Sequence, residues 1–204
     1  MAAPVGSRQK NGSSGRSGRP GRVLSEGVAR LKDASRGYDR IKRQLSEAEG
    51  YLMLGLPQKA LAILEARSDW ATMQFESALL TGEALRTTGR HRDALKPLEL
   101  AASLRPGDVG VAIALGWCYK RTQRLAQAID ALSRAVHHTP REPLLHYNLA
   151  CYWSLAGNPT KALIALANAI NLDPDLRPLI AGEPDFDAIR GNPDFVRLTA
   201  GTGP

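Results

Sequence analysis

Aromatic residues are scarce, at three Trp, five Tyr and three Phe, or 5% of the 204-residue chain. An all-β sandwich draws heavily on aromatic and β-branched side chains, so that scarcity argues against one. Cysteine is nearly absent too. Cys118 and Cys151 lie in apolar segments and match no metal-ligand spacing, so they read as two buried free thiols of a reducing compartment. No apolar run approaches the roughly 18–20 residues that cross a bilayer, so no membrane partner is expected. Residues 1–22 contain no acid, and their cations precede no apolar signal core. A cytoplasmic location is the expectation.

The formal net charge is +7, and five of those charges are Arg8, Lys10, Arg16, Arg19 and Arg22. The other 182 residues therefore carry only +2, and nucleic acid is not expected as a partner of the folded part. Residues 1–22 are rich in Gly, Ser and Arg and hold too little apolar surface to offset chain entropy; they read as a disordered basic tail. Residues 23–40 read as an N-terminal capping helix: Leu24, Val28, Leu31 and Tyr38 allow an amphipathic surface with a break at Gly37.

Alanine and leucine are plentiful, and they recur with a period of 34 residues. The step links Pro106, Pro140 and Pro174. It links Ala60, Ala94, Ala128 and Ala162, and also Leu64, Leu98, Leu132 and Leu166. Ala101, Ala135 and Ala169 keep the same step. Small residues follow it at Ala48, Gly82, Gly116 and Ala150, and large ones at Tyr51, Leu85, Tyr119 and Trp153. Gly55, Gly89 and Gly157 share a further column, with Gln123 as the exception. The copies are 41–74, 75–108, 109–142 and 143–176. Each reads as two helices, with glycine ending the first and proline stopping the second. One pair has too little core to stand alone, so the copies must stack. Copy one departs from the pattern with Arg67 and Thr72, which predicts an early end to its second helix near residues 68–69.

This pattern resembles the tetratricopeptide repeat family: the third copy reads Leu115, Gly116, Tyr119, Ala128, Leu132, Ala135, Pro140. After Pro174, Pro184, Asp185, Phe186, Arg190, Pro193 and Phe195 resemble the end-of-group module that closes many bacterial arrays of this family, which implies a structural cap over 177–204. The fold expected is all-α: a right-handed superhelical solenoid of about four antiparallel helix pairs with capping helices at both ends. In the family, the first helices of the pairs line a concave groove that holds a partner segment. Helical geometry then selects Glu83 and Arg86 in copy two, Ile113, Trp117, Lys120 and Arg121 in copy three, and Tyr147, Asn148 and Cys151 in copy four. Trp117, Tyr147 and Asn148 form the best candidate site, since aromatic residues dominate binding hot spots. Some members grip a C-terminal carboxylate with lysines and asparagines. The matching places here include Leu79, Glu83, Ala114 and Leu144, so no such grip is expected.

No constellation carries catalytic chemistry. His91, His137, His138 and His146 have no third ligand at metal spacing, and no phosphate loop or nucleophile elbow is present. Asp185 and Asp187 read as the start of a cap helix. No catalytic residue, cofactor or metal is expected. The function expected is a non-enzymatic scaffold or adaptor for a protein or peptide partner. The alternatives are association of the basic tail with nucleic acid or an acidic surface, and a homo-oligomer docked through the array ends.

Overall fold

The computed structural model describes residues 20–67 and 70–200, with side chains described from Arg30 onward. The expected disordered tail lies outside these residues, apart from Pro20, Gly21 and Arg22, which open the first helix. Contacts divide the chain into two compact units, ending and starting at Arg40 and Ile41.

Helix α1 runs over Pro20–Met53. The expected break at Gly37 is absent. One glycine inside a helix costs only about 1 kcal/mol against alanine, which long flanking stretches of helix-forming residues offset. In the first unit, Leu31 and Tyr38 remain exposed.

The second unit is a solenoid of helix pairs, and no strand occurs among the described residues. α3 (Gln74–Thr87) pairs with α4 (His91–Leu104), α5 (Val109–Arg121) with α6 (Leu125–His138), and α7 (Pro143–Leu155) with α8 (Pro159–Leu172), while Ile41, Leu45 and Ala48 at the end of α1 share a buried cluster with Ala60, Leu61 and Leu64 of α2 (Pro57–Glu65). Every second helix thus starts at the same place in the 34-residue period, at residues 57, 91, 125 and 159.

The hydrogen bonds repeat with the sequence. At the end of each first helix, the N–H of Leu56, Arg90, Arg124 or Asn158 donates to the carbonyl of Tyr51, Leu85, Tyr119 or Trp153, at 2.8–2.9 Å. The preceding N–H, from Gly55, Gly89, Gln123 or Gly157, donates to Leu52, Arg86, Lys120 or Ser154. This double bond pattern is the Schellman cap, which requires a left-handed residue. Gly55, Gly89 and Gly157 adopt φ of +69°, +78° and +70°, and Gln123 is forced to +63°. A side chain in that region costs roughly 1–2 kcal/mol. Gln123→Gly is therefore expected to stabilise the protein by about 1 kcal/mol, raising the thermal midpoint by roughly 2–4 °C; an unchanged or lower midpoint in calorimetry would refute this account of the turn.

The repeated columns form the core. Ala60, Ala94, Ala128 and Ala162 are fully buried, and so are Leu98, Leu132 and Leu166. Copy one differs. α2 ends at Glu65, earlier than the expected stop, and a 3-10 turn at Ala71–Met73 leads into α3. The Trp70 indole N–H caps this shortened helix by donating to the Leu64 carbonyl at 3.1 Å.

Beyond α8, a 3-10 turn at Pro174–Leu176, helix α9 (Arg177–Gly182), a 3-10 turn at Pro184–Ile189 and helix α10 (Pro193–Thr199) close the array. The tail carries one motif three times: Asp173-Pro-Asp-Leu, Glu183-Pro-Asp-Phe and Asn192-Pro-Asp-Phe. In each, the first side chain accepts the N–H of the third residue, an N-cap that also suits the missing proline donor. The fourth residue, Leu176, Phe186 or Phe195, is buried each time. Arg190 ties the turns together by donating to the carbonyls of Ala181 and Glu183 at 2.9 and 2.8 Å.

Candidate functional site

The 34-residue period sets equivalent positions on the first helices α3, α5 and α7. Leu79, Ile113 and Tyr147 form one column, Glu83, Trp117 and Cys151 a second, and Arg86, Lys120 and Ser154 a third. These helices also touch one another from copy to copy. Seven of the nine residues selected from sequence occupy these columns, Arg121 and Asn148 lying beside them in sequence, and they meet two different environments.

The copy-four end is covered by the chain's own C-terminal turn. Phe186 is fully buried, with its ring edge-on to Tyr147 at 5.9 Å between centroids. The Tyr147 hydroxyl donates to Glu183 at 3.4 Å. Lys120 reaches across from α5 to pair with Asp185, and both side chains are largely buried. Cys151, beneath this cover, is 3% exposed. Burial pushes the Tyr147 hydroxyl up from its ordinary value, with the Cys151 thiol and the Glu183 and Asp185 carboxylates adding to the effect. Burial likewise pushes the Cys151 thiol well up.

The Asp185 side chain has a different task from the one expected. Its backbone N–H takes part in the cap made by Glu183, as the start of a helix requires, while its carboxylate serves Lys120 in the middle of the array. A contact across 65 positions has no spacing signal in the sequence. Glu183, Asp185 and Phe186 are thus groove-facing residues that sequence reasoning missed.

The copy-three and copy-two part of the face is open. Trp117 is 40% exposed. The Lys120 ammonium and the Arg121 guanidinium stand 5.5 and 5.9 Å from its ring centre, within cation–π range. Ile113 is partly buried and packs on the core. Glu83 and Arg86 form a pair, with Nη2 and Nε donating to the same carboxylate oxygen at 2.7 and 2.9 Å. Asn148 donates to the Leu144 carbonyl of its own helix at 2.8 Å, which leaves its second amide N–H and its amide oxygen for a ligand.

The two thiols are inert by position. Cys118 is fully buried, and burial pushes it up to about 11. At pH 8 about a thousandth of such a thiol is ionised. Neither cysteine is expected to react with a disulfide reagent at pH 8 until the protein is unfolded; fast titration of either in the native state would contradict the packing.

Among the described residues, no group of three or more His, Cys, Asp or Glu is placed to hold a metal ion, and no helix is long and apolar enough to cross a membrane. His146 is buried, with Nε2 2.8 Å from the Pro140 carbonyl.

Residues 85–150 match the family model described as tetratricopeptide repeat. No curated protein matches the chain by sequence. Solved structures with the same fold include MamA from Desulfovibrio magneticus RS-1, with a TM-score of 0.61 at 20% identity over 79% of this chain and 94% of that one. MamA MSR-1 gives 0.60 at 21% identity over 79% and 95%. MamA AMB-1 gives 0.60 at 21% over 79% and 91%. At these identities the likeness is one of fold.

Proposed function

We propose that this chain, whose residues 85–150 are tetratricopeptide repeats, is a non-enzymatic scaffold that seats a segment of a partner protein on the face formed by its first helices. The observation that carries this reading is Trp117. It is a large aromatic left 40% exposed in an array whose equivalent Cys151 is buried, and two cations flank its ring. Tryptophan and arginine are the residue types that most often anchor interfaces. The buried free thiols suit a reducing compartment such as the cytoplasm.

Trp117→Ala is the test. Its ring is half in solvent, so the array should keep its helicity. Affinity for a partner captured from native lysate is expected to fall by about 1–3 kcal/mol, roughly 5- to 150-fold. A partner bound equally well by wild type and variant would remove the groove from the function. Tyr147→Ala is a poor probe, because Tyr147 holds Phe186 and its loss would disturb the cap.

A further inference from the structure

The C-terminal turn shows what chemistry this face accepts. At the α5–α7 step, a carboxylate from Asp185 meets a cation on the first helix, Lys120, and the next residue, Phe186, lays its ring against a large side chain on the following helix, Tyr147. One repeat earlier the same two columns hold Arg86 on α3 and Ile113 on α5. The cation and the apolar wall recur, and both Arg86 and Ile113 keep partial solvent exposure.

Three further features fit the earlier step to the same kind of ligand. Trp117 is exposed there, whereas its equivalent Cys151 is buried under the turn. Arg86 uses Nε and Nη2 on Glu83, and no bond is made by its Nη1 among the described residues. Arg121 is exposed beside Trp117, its guanidinium 5.9 Å from the ring centre. Against these cations stand Glu83, paired with Arg86, and Asp93, which lines the same pocket as Arg121 and pairs with Arg90. The balance favours a negatively charged ligand with an apolar side chain.

We propose that the open α3–α5 step binds an internal peptide segment of a partner protein in which an acidic residue is followed directly by an aromatic one, the carboxylate going to Arg86 and Arg121 and the ring to Ile113 and Trp117. The ligand repeats, one copy earlier, the way the chain's own Asp185-Phe186 is held. This inference rests on the scaffold reading and specifies the partner's chemistry.

The probe is a fluorescein-labelled peptide copying residues 182–190, titrated with the full chain and followed by fluorescence anisotropy. Saturable binding is expected. It should weaken at least tenfold with Trp117→Ala or Arg121→Gln, two exposed positions whose variants should retain the wild-type helical circular dichroism. It should weaken similarly when the peptide carries Asp185→Asn or Phe186→Ala, and as salt is raised. A peptide that simply displaces the cap would instead bind better to the Asp185→Asn protein and ignore Trp117→Ala; that result overturns the proposal, as does an absence of binding. If the peptide fails while a captured partner still depends on Trp117, the acidic–aromatic assignment falls and the groove reading stands. If nothing depends on Trp117, both fall.

Discussion

Phe186→Ala is expected to cost about 3–5 kcal/mol, the usual loss when a buried phenylalanine is truncated. Phe186 is fully buried between Tyr147 and Phe195, whose ring centres lie 5.9 and 5.6 Å away. Its neighbours Ile180, Ile189 and Phe195 depend on the same contact surface. In a stacked array each unit leans only on its neighbours, so the loss should be local. Residues 177–199 are expected to lose amide hydrogen-exchange protection while α3 to α6 keep theirs. The Lys120–Asp185 pair should open with the turn, exposing Cys151 to thiol reagents that cannot reach it in the wild type. A uniform loss of protection along the chain would mean that the cap and the repeats are one cooperative unit.

The second large effect is expected at a position that looks innocuous. A Cβ added at Gly82 would lie 2.5 Å from both Cγ and Cδ2 of Leu98, and Leu98 is fully buried, where close packing resists a shift of that size. Alanine would gain up to about 1 kcal/mol of helix propensity, but overpacking of this kind costs typically 1–3 kcal/mol. With the Cβ below any real contact distance, the upper part of that range applies, and Gly82→Ala should destabilise by about 2 kcal/mol. Gly116 occupies the same column in the next copy. There the nearest atoms to a new Cβ are Tyr152 Cε2 at 3.2 Å and Leu132 Cγ at 3.4 Å. A shift of a few tenths of an ångström relieves such contacts, and the propensity gain offsets it, so Gly116→Ala should fall within about 1 kcal/mol of wild type. Ala48 and Ala150, fully buried at the equivalent sites of the outer copies, show that the column itself tolerates a methyl group. Equal denaturation midpoints for the two alanine variants would refute the distinction.

The Gly82 prediction starts from the 34-residue columns, which are legible in the sequence itself. The reason is physical. Each copy must solve the same packing problem with the same two helices, so identical constraints recur at identical steps. The alanine column is buried because two helix backbones meet there, and the leucine column fills the space beside it. The glycine column marks the left-handed residue of each Schellman cap, and Gln123 adopts that conformation because the bonds around it leave no alternative. The stop in copy one was legible in direction, since Arg67 and Thr72 break the columns, but α2 ends earlier than the substitutions alone required.

The candidate groove was legible only as a face. Helical geometry put Trp117, Lys120, Tyr147 and Cys151 on the same side, and nothing local said that half of that side would be covered. The cover depends on Lys120 meeting Asp185 and on Tyr147 meeting Phe186, contacts between residues 65 and 39 positions apart. The end turns break the 34-residue period, so no repeated neighbour constrains where they fold back. Periodic sequence specifies periodic structure because every copy carries its own evidence. An aperiodic tail is placed by an apolar and charged surface near the end of the stack, and that surface exists only once the stack has formed.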